Sequence, residues 1–213
     1  MARWLQGRDG TGMKSKAEQA ERILVERLVA EDQAALKQLH AIYRPRLHRF
    51  LTTLGCAPAD LDEAVNETLL VVWKKARQFT GKSRVSTWIF GIARNKALKL
   101  CERRRRQAGR LAETPLETLV DPALDTGTLA ELKQWIAVGL AMLPSEQRQV
   151  LELTFMEGLS VRDIAQVMDC PESTVKTRMF HARRKLREIL PATASPDMQS
   201  GSTTSSADDS GRE

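Results

Sequence analysis

The sequence has little cysteine and little histidine, and neither is spaced like a metal site. Its 213 residues include three cysteines and three histidines, with no CxxC pair. An odd number of distant cysteines argues against the disulfide framework of a small secreted domain. We expect three small buried thiols, no metal and no cofactor. The residues are Cys56, Cys101, Cys170, His40, His48 and His181.

Long apolar runs and strand-like alternation are also missing. The longest uncharged apolar segment, QWIAVGLAMLPS, is too short to span a bilayer, and MARWLQGRDGTGMK at the start does not resemble a signal peptide. No alternating β-branched run of strand length occurs, whereas apolar residues recur at helical spacing almost throughout. The sequence therefore predicts a cytoplasmic, all-α protein.

Positive charge is plentiful but unevenly placed. The net charge is +6, which makes an anionic partner worth considering. From Lys74 to Arg110 there are thirteen Lys and Arg against one acid, whereas DLDEAVNE just before carries four acids and no base. Adjacent blocks of opposite sign indicate two contact surfaces with different partners. The alternative is an ordinary solvated charged face.

The helical patterns divide the chain into two small helical domains joined by a flexible linker. In the first domain we expect one helix from near Ser15 and a second over DQAALKQLHAIYRPRLHRFLTTLG, which Pro45 should bend or break. A third helix should start after Asp60, whose side chain caps it. The third helix has Leu61, Val65, Leu69, Val72 and Ala76 as its core stripe. The loop TGKSRVS follows it. The predicted boundaries are 1–20 extension, 21–106 first domain, 107–128 linker, 129–190 second domain and 191–213 disordered tail.

The second domain contains a predicted helix-turn-helix. Ser160 and Asp163 are spaced as a capping box, Asp169 and Pro171 break the helix, and a second helix starts near Glu172. The predicted apolar faces are Val161, Ile164, Ala165 and Met168, then Val175, Met179, Ala182, Leu186 and Leu190. Donor side chains at the exposed start of the second helix suit a DNA major groove. They are Ser173, Thr174, Lys176, Thr177, Arg178 and His181. A structural hairpin with a solvated basic face is the alternative.

The stretch WIFGIARNKALKLCERRRR, residues 88–106, runs from apolar to strongly basic. At about 100° per residue, one face should pack inward and the other should combine an aromatic ring with cations. Single-stranded nucleic acid binding uses that combination, although Trp88 packing on a neighbouring helix explains it equally well. The inward residues are Ile89, Ala93, Ala97 and Leu100, and the outward ones are Trp88, Asn95, Lys99 and Arg106.

Two runs in this order resemble the small extracytoplasmic-function (ECF) members of the bacterial sigma-70 superfamily. They are DLDEAVNETLLVVWKKARQFTGKSRVSTWIFGIARNKALKLCERRRR and LPSEQRQVLELTFMEGLSVRDIAQVMDCPESTVKTRMFHARRKLREIL. The resemblance covers roughly Glu21 to Leu190 and assigns the runs to sigma regions two and four. It implies a sigma factor that binds core RNA polymerase, directs promoter-specific initiation and melts the promoter, with no catalytic residue of its own.

The resemblance also implies which residues make each contact. Asp62, Glu63, Asn66, Glu67, Leu70 and Trp73 would dock on the β′ clamp helices. Lys82, Arg84, Trp88, Asn95, Lys99, Arg103 and Arg106 would recognise and melt the minus-ten element. The helix-turn-helix would read the minus-thirty-five element. The polymerase β flap and an anti-sigma factor, often membrane-bound in this family, are further implied partners.

Three positions depart from the family pattern. Asn66 stands where glutamine is usual, which weakens the assignment of that polymerase contact. Lys99 replaces a common aspartate and makes the strand-reading face more basic. Asp169 replaces the turn glycine, and aspartate tolerates a left-handed conformation better than most residues.

Two other function classes remain open from the residues alone. A stand-alone helix-turn-helix repressor or activator would use its first domain for ligand sensing or dimerisation. An enzyme acting on nucleic acid would use the helix-turn-helix for targeting, but the chain offers no cluster of carboxylates and metal ligands and no convincing nucleophile.

Overall fold

The computed structural model describes residues 11–108, 136 and 138–189, and within them the chain is helical with no strands. We call 11–108 the first module and 138–189 the second module. The predicted tail, Leu190 and nearly all of the predicted linker lie outside the described residues. The helices are α1 (Thr11–Val29), α2 (Gln33–Thr53), α3 (Pro58–Lys75), a 3₁₀ turn (Ala76–Gln78), α4 (Val85–Ala108), α5 (Ser145–Leu151), a π-helical turn (Glu152–Met156), α6 (Val161–Met168) and α7 (Glu172–Ile189).

Pro45 was predicted to bend or break its helix, and it does not break it, because α2 continues through it from Gln33 to Thr53. Proline removes the N–H that would bond the carbonyl four residues earlier, here that of Ala41. Both Pro45 and Ala41 are solvent-exposed, so water can satisfy that carbonyl. The buried residues of α2 lie on the opposite side of the helix and pack undisturbed.

The predicted start of α3 was three residues late. The helix begins at Pro58, where proline's fixed φ suits the first turn, and its N-cap Ala57 provides no side-chain bond. Asp60 therefore lies inside the first turn, and its carboxylate pairs with Arg104 of α4. The predicted core stripe is confirmed: Leu61, Val65, Leu69, Val72 and Ala76 are all buried.

An aromatic cluster forms the centre of the first module. The Phe50 and Phe90 rings meet edge to face with centroids 5.1 Å apart, and Tyr43 lies 6.3 Å from Phe90. All three rings are fully buried between α2 and α4. Edge-to-face pairs add about 0.5–1.5 kcal/mol beyond their burial. The cluster fixes α4, whose opposite side carries the basic residues.

The helix-turn-helix prediction is confirmed in its local chemistry. Ser160 Oγ accepts a hydrogen bond from the Asp163 backbone N–H, and the Asp163 carboxylate accepts one from the Ser160 N–H, which completes the capping box. The helix ends at Met168, and Asp169 adopts the left-handed conformation with φ 50° and ψ 54°. Ile164 and Met168 are buried as predicted, and Val167 joins them.

The two modules pack together rather than standing apart. Leu153, Ile164 and Met168 of the second module belong to the same buried cluster as Phe90 of the first. Around this shared core, Ser145 Oγ donates to the Thr53 carbonyl at 2.9 Å. The shared core places the helix-turn-helix directly beside the start of α4.

Candidate nucleic-acid and protein interfaces

The acidic face of α3 is exposed, as predicted, and it is partly neutralised by the first module itself. Asp62 pairs with Arg44 at 3.0 Å, and Glu67 pairs with Lys96 at 3.0 Å. The Asn66 amide oxygen lies 3.4 Å from His40 Nε2, and Glu63 is exposed. Solvent-exposed ion pairs are weak, so an incoming cation can replace either internal partner at little cost.

An apolar groove continues this face. Leu70 and Trp73 are 44% and 37% exposed, which is high for large apolar side chains. They line an open groove of about 460 Å³ together with Leu28 and Val29 of α1. Sequence reasoning placed Leu70 and Trp73 on a contact surface but missed the contribution of α1. The signal was Val29, an apolar residue at the last position of that helix.

Two of the predicted minus-ten residues lie in the loop before α4, and they differ in exposure. Lys82 is exposed, in a turn that begins with Gly81 at φ 71°. Arg84 is instead held by both modules: its Nε lies 3.3 Å from Glu18 Oε2, and its Nη1 donates to the Gly158 carbonyl at 3.3 Å. Arg84 is therefore engaged by contacts within the folded chain, unlike Lys82.

Trp88 is half-buried rather than fully outward. Its ring packs against Phe79 with centroids 5.0 Å apart and an interplanar angle of 36°. It also packs against the buried core, so Trp88 has a packing role in the first module. The predicted inward face is present, with Ile89, Ala93 and Ala97 fully buried and Leu100 packed beside them.

A basic track runs along the exposed side of α4. Asn95, Lys99, Arg103 and Arg106 are exposed and spaced four, four and three residues apart. At 1.5 Å per residue they follow one side of the helix for about 16 Å. Arg106 has a distant partner in Glu102 at 3.8 Å, which leaves the track predominantly positive.

The predicted DNA-contact residues at the start of α7 also fall into an exposed group and a half-buried group. Ser173, Lys176 and Thr177 are exposed, and Thr174 is half-buried. Arg178 is half-buried, with its guanidinium 2.5 Å from Glu146 and 3.6 Å from Cys170 Sγ.

Beyond the first turns of α7, His181 is half-buried and its ring meets Phe180 edge-on at 5.5 Å. Arg183 and Arg184 are exposed on the following turn, and sequence reasoning did not select them. They extend the positive surface of α7 along the helix, so the exposed basic surface is longer than predicted.

Buried electrostatics hold the second module against α2. Glu152 accepts from Arg49 at 3.1 Å, and burial raises the pKa of Glu152 even though Arg49 opposes the shift. Burial likewise raises the pKa of the Tyr43 phenol well above its usual range. The pair of Arg49 with Glu152 is therefore structural and distinct from the exposed cations of α4 and α7.

Neither a membrane-spanning helix nor a cluster of potential metal ligands occurs in the part of the chain that the structure describes. No helix there is long and apolar enough to cross a bilayer. No three His, Cys, Asp or Glu side chains in those residues converge as metal ligands. The thiols differ in exposure: Cys56 is buried, whereas Cys101 and Cys170 are half-buried, contrary to the expectation that all three are buried.

Comparison with known proteins matches both modules to one family. Residues 39–107 match the family model Sigma-70 region 2, and residues 133–186 match Sigma-70, region 4. The ECF RNA polymerase sigma factor SigM of Mycobacterium tuberculosis is 30% identical over 179 residues, covering 84% of this chain and 89% of SigM. The ECF RNA polymerase sigma-E factor of Haemophilus influenzae is 31% identical over 178 residues, covering 78% and 93%.

Two solved structures share the fold. CnrH in complex with the cytosolic domain of CnrY has a TM-score of 0.56 at 25% identity, covering 79% of this chain and 96% of that one. RpoE in complex with the anti-sigma factor NepR from Bartonella quintana has a TM-score of 0.55 at 26% identity, covering 72% and 94%. With both regions present in order and the relatives matched over most of their length, this chain belongs to the ECF sigma factors of the sigma-70 family.

Proposed function

We propose that this sigma factor binds core RNA polymerase through α3, reads and melts the minus-ten element with α4, and reads the minus-thirty-five element with α7. One observation carries the proposal. An acidic and apolar face on α3 and a basic track on α4 stand on adjacent helices, in the same chain as an exposed helix-turn-helix. A stand-alone repressor needs only the last of these three surfaces.

The α3 face suits a basic, amphipathic partner such as the β′ clamp helices. Exposed carboxylates attract a cationic helix and set its orientation, whereas apolar contact area contributes most of the affinity. Here Leu70, Trp73 and the groove beside α1 supply that area. Glu63 is solvent-exposed, so its carboxylate is readily offered to the polymerase.

The α4 surface suits a melted strand. Lys99, Arg103 and Arg106 neutralise successive phosphates, and the accessible part of Trp88 offers a surface on which an unpaired base can stack. A flipped base pays for its unstacking through such contacts. Lys82, in the loop before α4, extends the positive surface toward the start of the helix.

The α7 surface suits duplex DNA. Ser173, Lys176 and Thr177 are exposed at the start of the helix, where a recognition helix meets base edges and phosphates. Thr174, Arg178 and His181 join them once the Arg178 pair with Glu146 opens. Two modest contacts on one chain raise each other's effective concentration, and the polymerase and its β flap fix their spacing.

The remaining assignments follow from this role. Bond formation between nucleotides belongs to the polymerase, so the sigma factor needs no catalytic group, metal or cofactor and acts in the cytoplasm. An anti-sigma protein, often membrane-bound in this family, would hold the chain inactive by covering the α3 and α4 surfaces. The family relationship supports such a partner, because RpoE was solved with the anti-sigma factor NepR.

Run-off transcription tests the proposal. Bacterial core polymerase is supplied with genomic promoter fragments, with and without the full chain. Transcripts that start at defined positions only in its presence are expected, and Trp73→Ala should reduce them more than Ile23→Ala, which also truncates an exposed apolar side chain. Specific duplex binding by the chain alone, with no such transcript from an active polymerase, would favour a repressor or activator.

A further inference from the structure

The first half of α1 contacts the loop that precedes α4. We call residues 80–84 the reading loop. Arg22 Nη2 donates to the Gly81 carbonyl at 3.4 Å, and Glu18 Oε2 lies 3.3 Å from Arg84 Nε. The two α1 side chains stand one helical turn apart and lie 3.8 Å from each other. One turn of α1 therefore holds the reading loop near both of its ends.

The contact at Gly81 fixes a sharp turn of the backbone. Gly81 has φ 71°, in the left-handed region that glycine adopts without a steric penalty. A Cβ at this position would lie 3.5 Å from Arg22 Nη1, so the guanidinium rests directly on the loop backbone. The next residue, Lys82, is exposed. Arg22 thus braces the turn from which the Lys82 side chain reaches solvent.

The contact at Arg84 uses only one edge of the guanidinium. Arg84 Nε is shielded from solvent, so the Glu18 carboxylate supplies an opposite charge where water cannot. On the other edge, Nη1 donates to the Gly158 carbonyl at 3.3 Å. Because the two contacts involve different nitrogens, Glu18 can keep Nε in place when another acceptor replaces the Gly158 carbonyl.

We propose that Glu18 and Arg22 are positioning residues for minus-ten recognition. They hold the reading loop in the shape that turns Lys82 and Arg84 toward phosphates of the melted strand, and they do not contact the strand themselves. A guanidinium is planar, so fixing Nε also fixes the direction of its remaining donors. Less side-chain freedom is then lost when the strand binds. This inference rests on the proposed function and deepens it, because it gives α1 a part in reading the promoter.

Local sequence patterns do not mark these two residues. The first domain was predicted to begin at residue 21, which left Glu18 in the extension before it. Arg22 and Gly81 are 59 positions apart, and neither belongs to a motif that pairs them. Their relationship to the reading loop follows from the fold alone.

Permanganate reactivity of minus-ten thymines tests the proposal, with the full chain, core polymerase and a promoter recovered by run-off transcription. At concentrations that saturate polymerase binding, Glu18→Ala and Arg22→Ala should each lower the reactivity about two- to tenfold. Glu18→Gln keeps an oxygen that can accept from Arg84 Nε and should retain more reactivity than Glu18→Ala. Glu26→Ala removes an exposed carboxylate from the same helix and should leave the reactivity unchanged.

A double variant separates positioning from a general loss of stability. If Glu18 acts through Arg84, then Glu18→Ala combined with Arg84→Ala should lose little more reactivity than Arg84→Ala alone. Circular dichroism and polymerase affinity should match the wild type in Glu18→Ala. Additive losses, or higher reactivity in Glu18→Ala because a repulsive charge has gone, would overturn the positioning role.

The same assay distinguishes this inference from the proposed function. A wild type that opens no promoter with an active polymerase would overturn both. A wild type that opens the promoter, beside Glu18→Ala and Arg22→Ala variants that open it equally well, would overturn the role of α1 alone.

Discussion

Arg46 Nη2 lies 2.7 Å from Glu157 Oε2, and the Glu157 side chain is only 1% exposed. The same guanidinium reaches Glu21 at 2.9 Å and stacks on the Tyr43 ring at 4.4 Å. One arginine of α2 thus connects α1, the aromatic cluster of the first module and the residue just before Gly158 of the second module. Since a buried charge without its partner is costly, this arginine couples the packing of the modules.

Breaking this pair should destabilise the packed arrangement. Glu157→Gln should lower the free energy of unfolding by about 1–3 kcal/mol, less than the loss of a fully isolated buried pair, because Glu21 still holds Arg46. A double-mutant cycle with Arg46→Met, measured by urea denaturation, isolates the coupling. The exposed pair Arg44 and Asp62 is the matched control and should contribute below about 1 kcal/mol. Equal coupling in the two pairs would contradict a buried role for Glu157.

Removing one hydrogen bond between the modules should increase local unfolding at both of its ends. Thr87 is buried, and its Oγ1 donates to Asp163 Oδ1 at 3.0 Å. Thr87→Val keeps the shape but leaves the carboxylate oxygen unpaired, at a cost of about 1 kcal/mol. Amide hydrogen exchange should accelerate at the start of both α4 and α6. Ser160→Ala, which removes the capping box but not this bond, should accelerate α6 alone; the same pattern in both variants would count against the inter-module bond.

The N-cap of α2 should make stability depend on pH. The hydrogen bond from Arg27 and the backbone N–H of Ala34 lower the pKa of Asp32 below its ordinary 3.8. A lowered folded-state pKa adds stability above the unfolded value, and this addition is lost as the pH falls through the folded value. Asp32→Asn keeps a capping oxygen but carries no charge. The gap between the urea midpoints of the wild type and the variant should therefore stay constant from pH 7 to about pH 4 and narrow as the pH falls further, and a gap that persists at low pH would refute the charge contribution.

The packing and stacking roles of Trp88 can be separated. Trp88→Leu and Phe79→Leu both remove the same ring contact, so each should lose a similar stability of about 1 kcal/mol. Only the former removes a surface on which a base stacks, worth about 1–3 kcal/mol. With core polymerase on a responsive promoter, permanganate reactivity of minus-ten thymines should fall in Trp88→Leu and persist in Phe79→Leu. Equal losses in both would make Trp88 a packing residue only.

Lys176, the exposed cation at the start of α7, should bind phosphate or base edges in the duplex. Lys176→Ala should weaken anisotropy-measured binding to a minus-thirty-five fragment recovered by run-off, and if the contact is to phosphate it should reduce the salt slope by about 0.9. Lys16→Ala removes the same charge from an exposed position of α1 and should change neither the affinity nor the salt slope. Unchanged binding in Lys176→Ala would remove this lysine from the reading surface.

Local patterns predicted the helices and their buried stripes well, because spacing and caps are properties of short segments. The stripe from Leu61 to Ala76 and the capping box at Ser160 both depend on residues within a few turns of each other. Whether Pro45 breaks its helix could not be decided from the sequence, since the outcome depended on whether the Ala41 residue faced water, and that is set by the packing of the whole helix.

The contacts between residues far apart in the chain could not be predicted from the sequence. Arg84 looks like one more cation beside Lys82 until the fold places Gly158, 74 positions later, against it. Asp60 looked like a helix cap, but its partner is Arg104, 44 positions away. The acidic and basic blocks were visible in the sequence, whereas which charges remain exposed after folding was decided by contacts between distant segments.

If a strand binds at the start of α4 as proposed, the contact of Arg84 with the second module makes DNA affinity depend on how often the two modules separate. The strand would compete with the Gly158 carbonyl for the Arg84 side chain. Observed affinity is then the intrinsic affinity multiplied by the fraction of molecules in which the modules have separated, and each 1.4 kcal/mol of packing lowers that fraction about tenfold. Residues such as Glu157 that touch no nucleotide would thereby help determine how tightly the promoter is held.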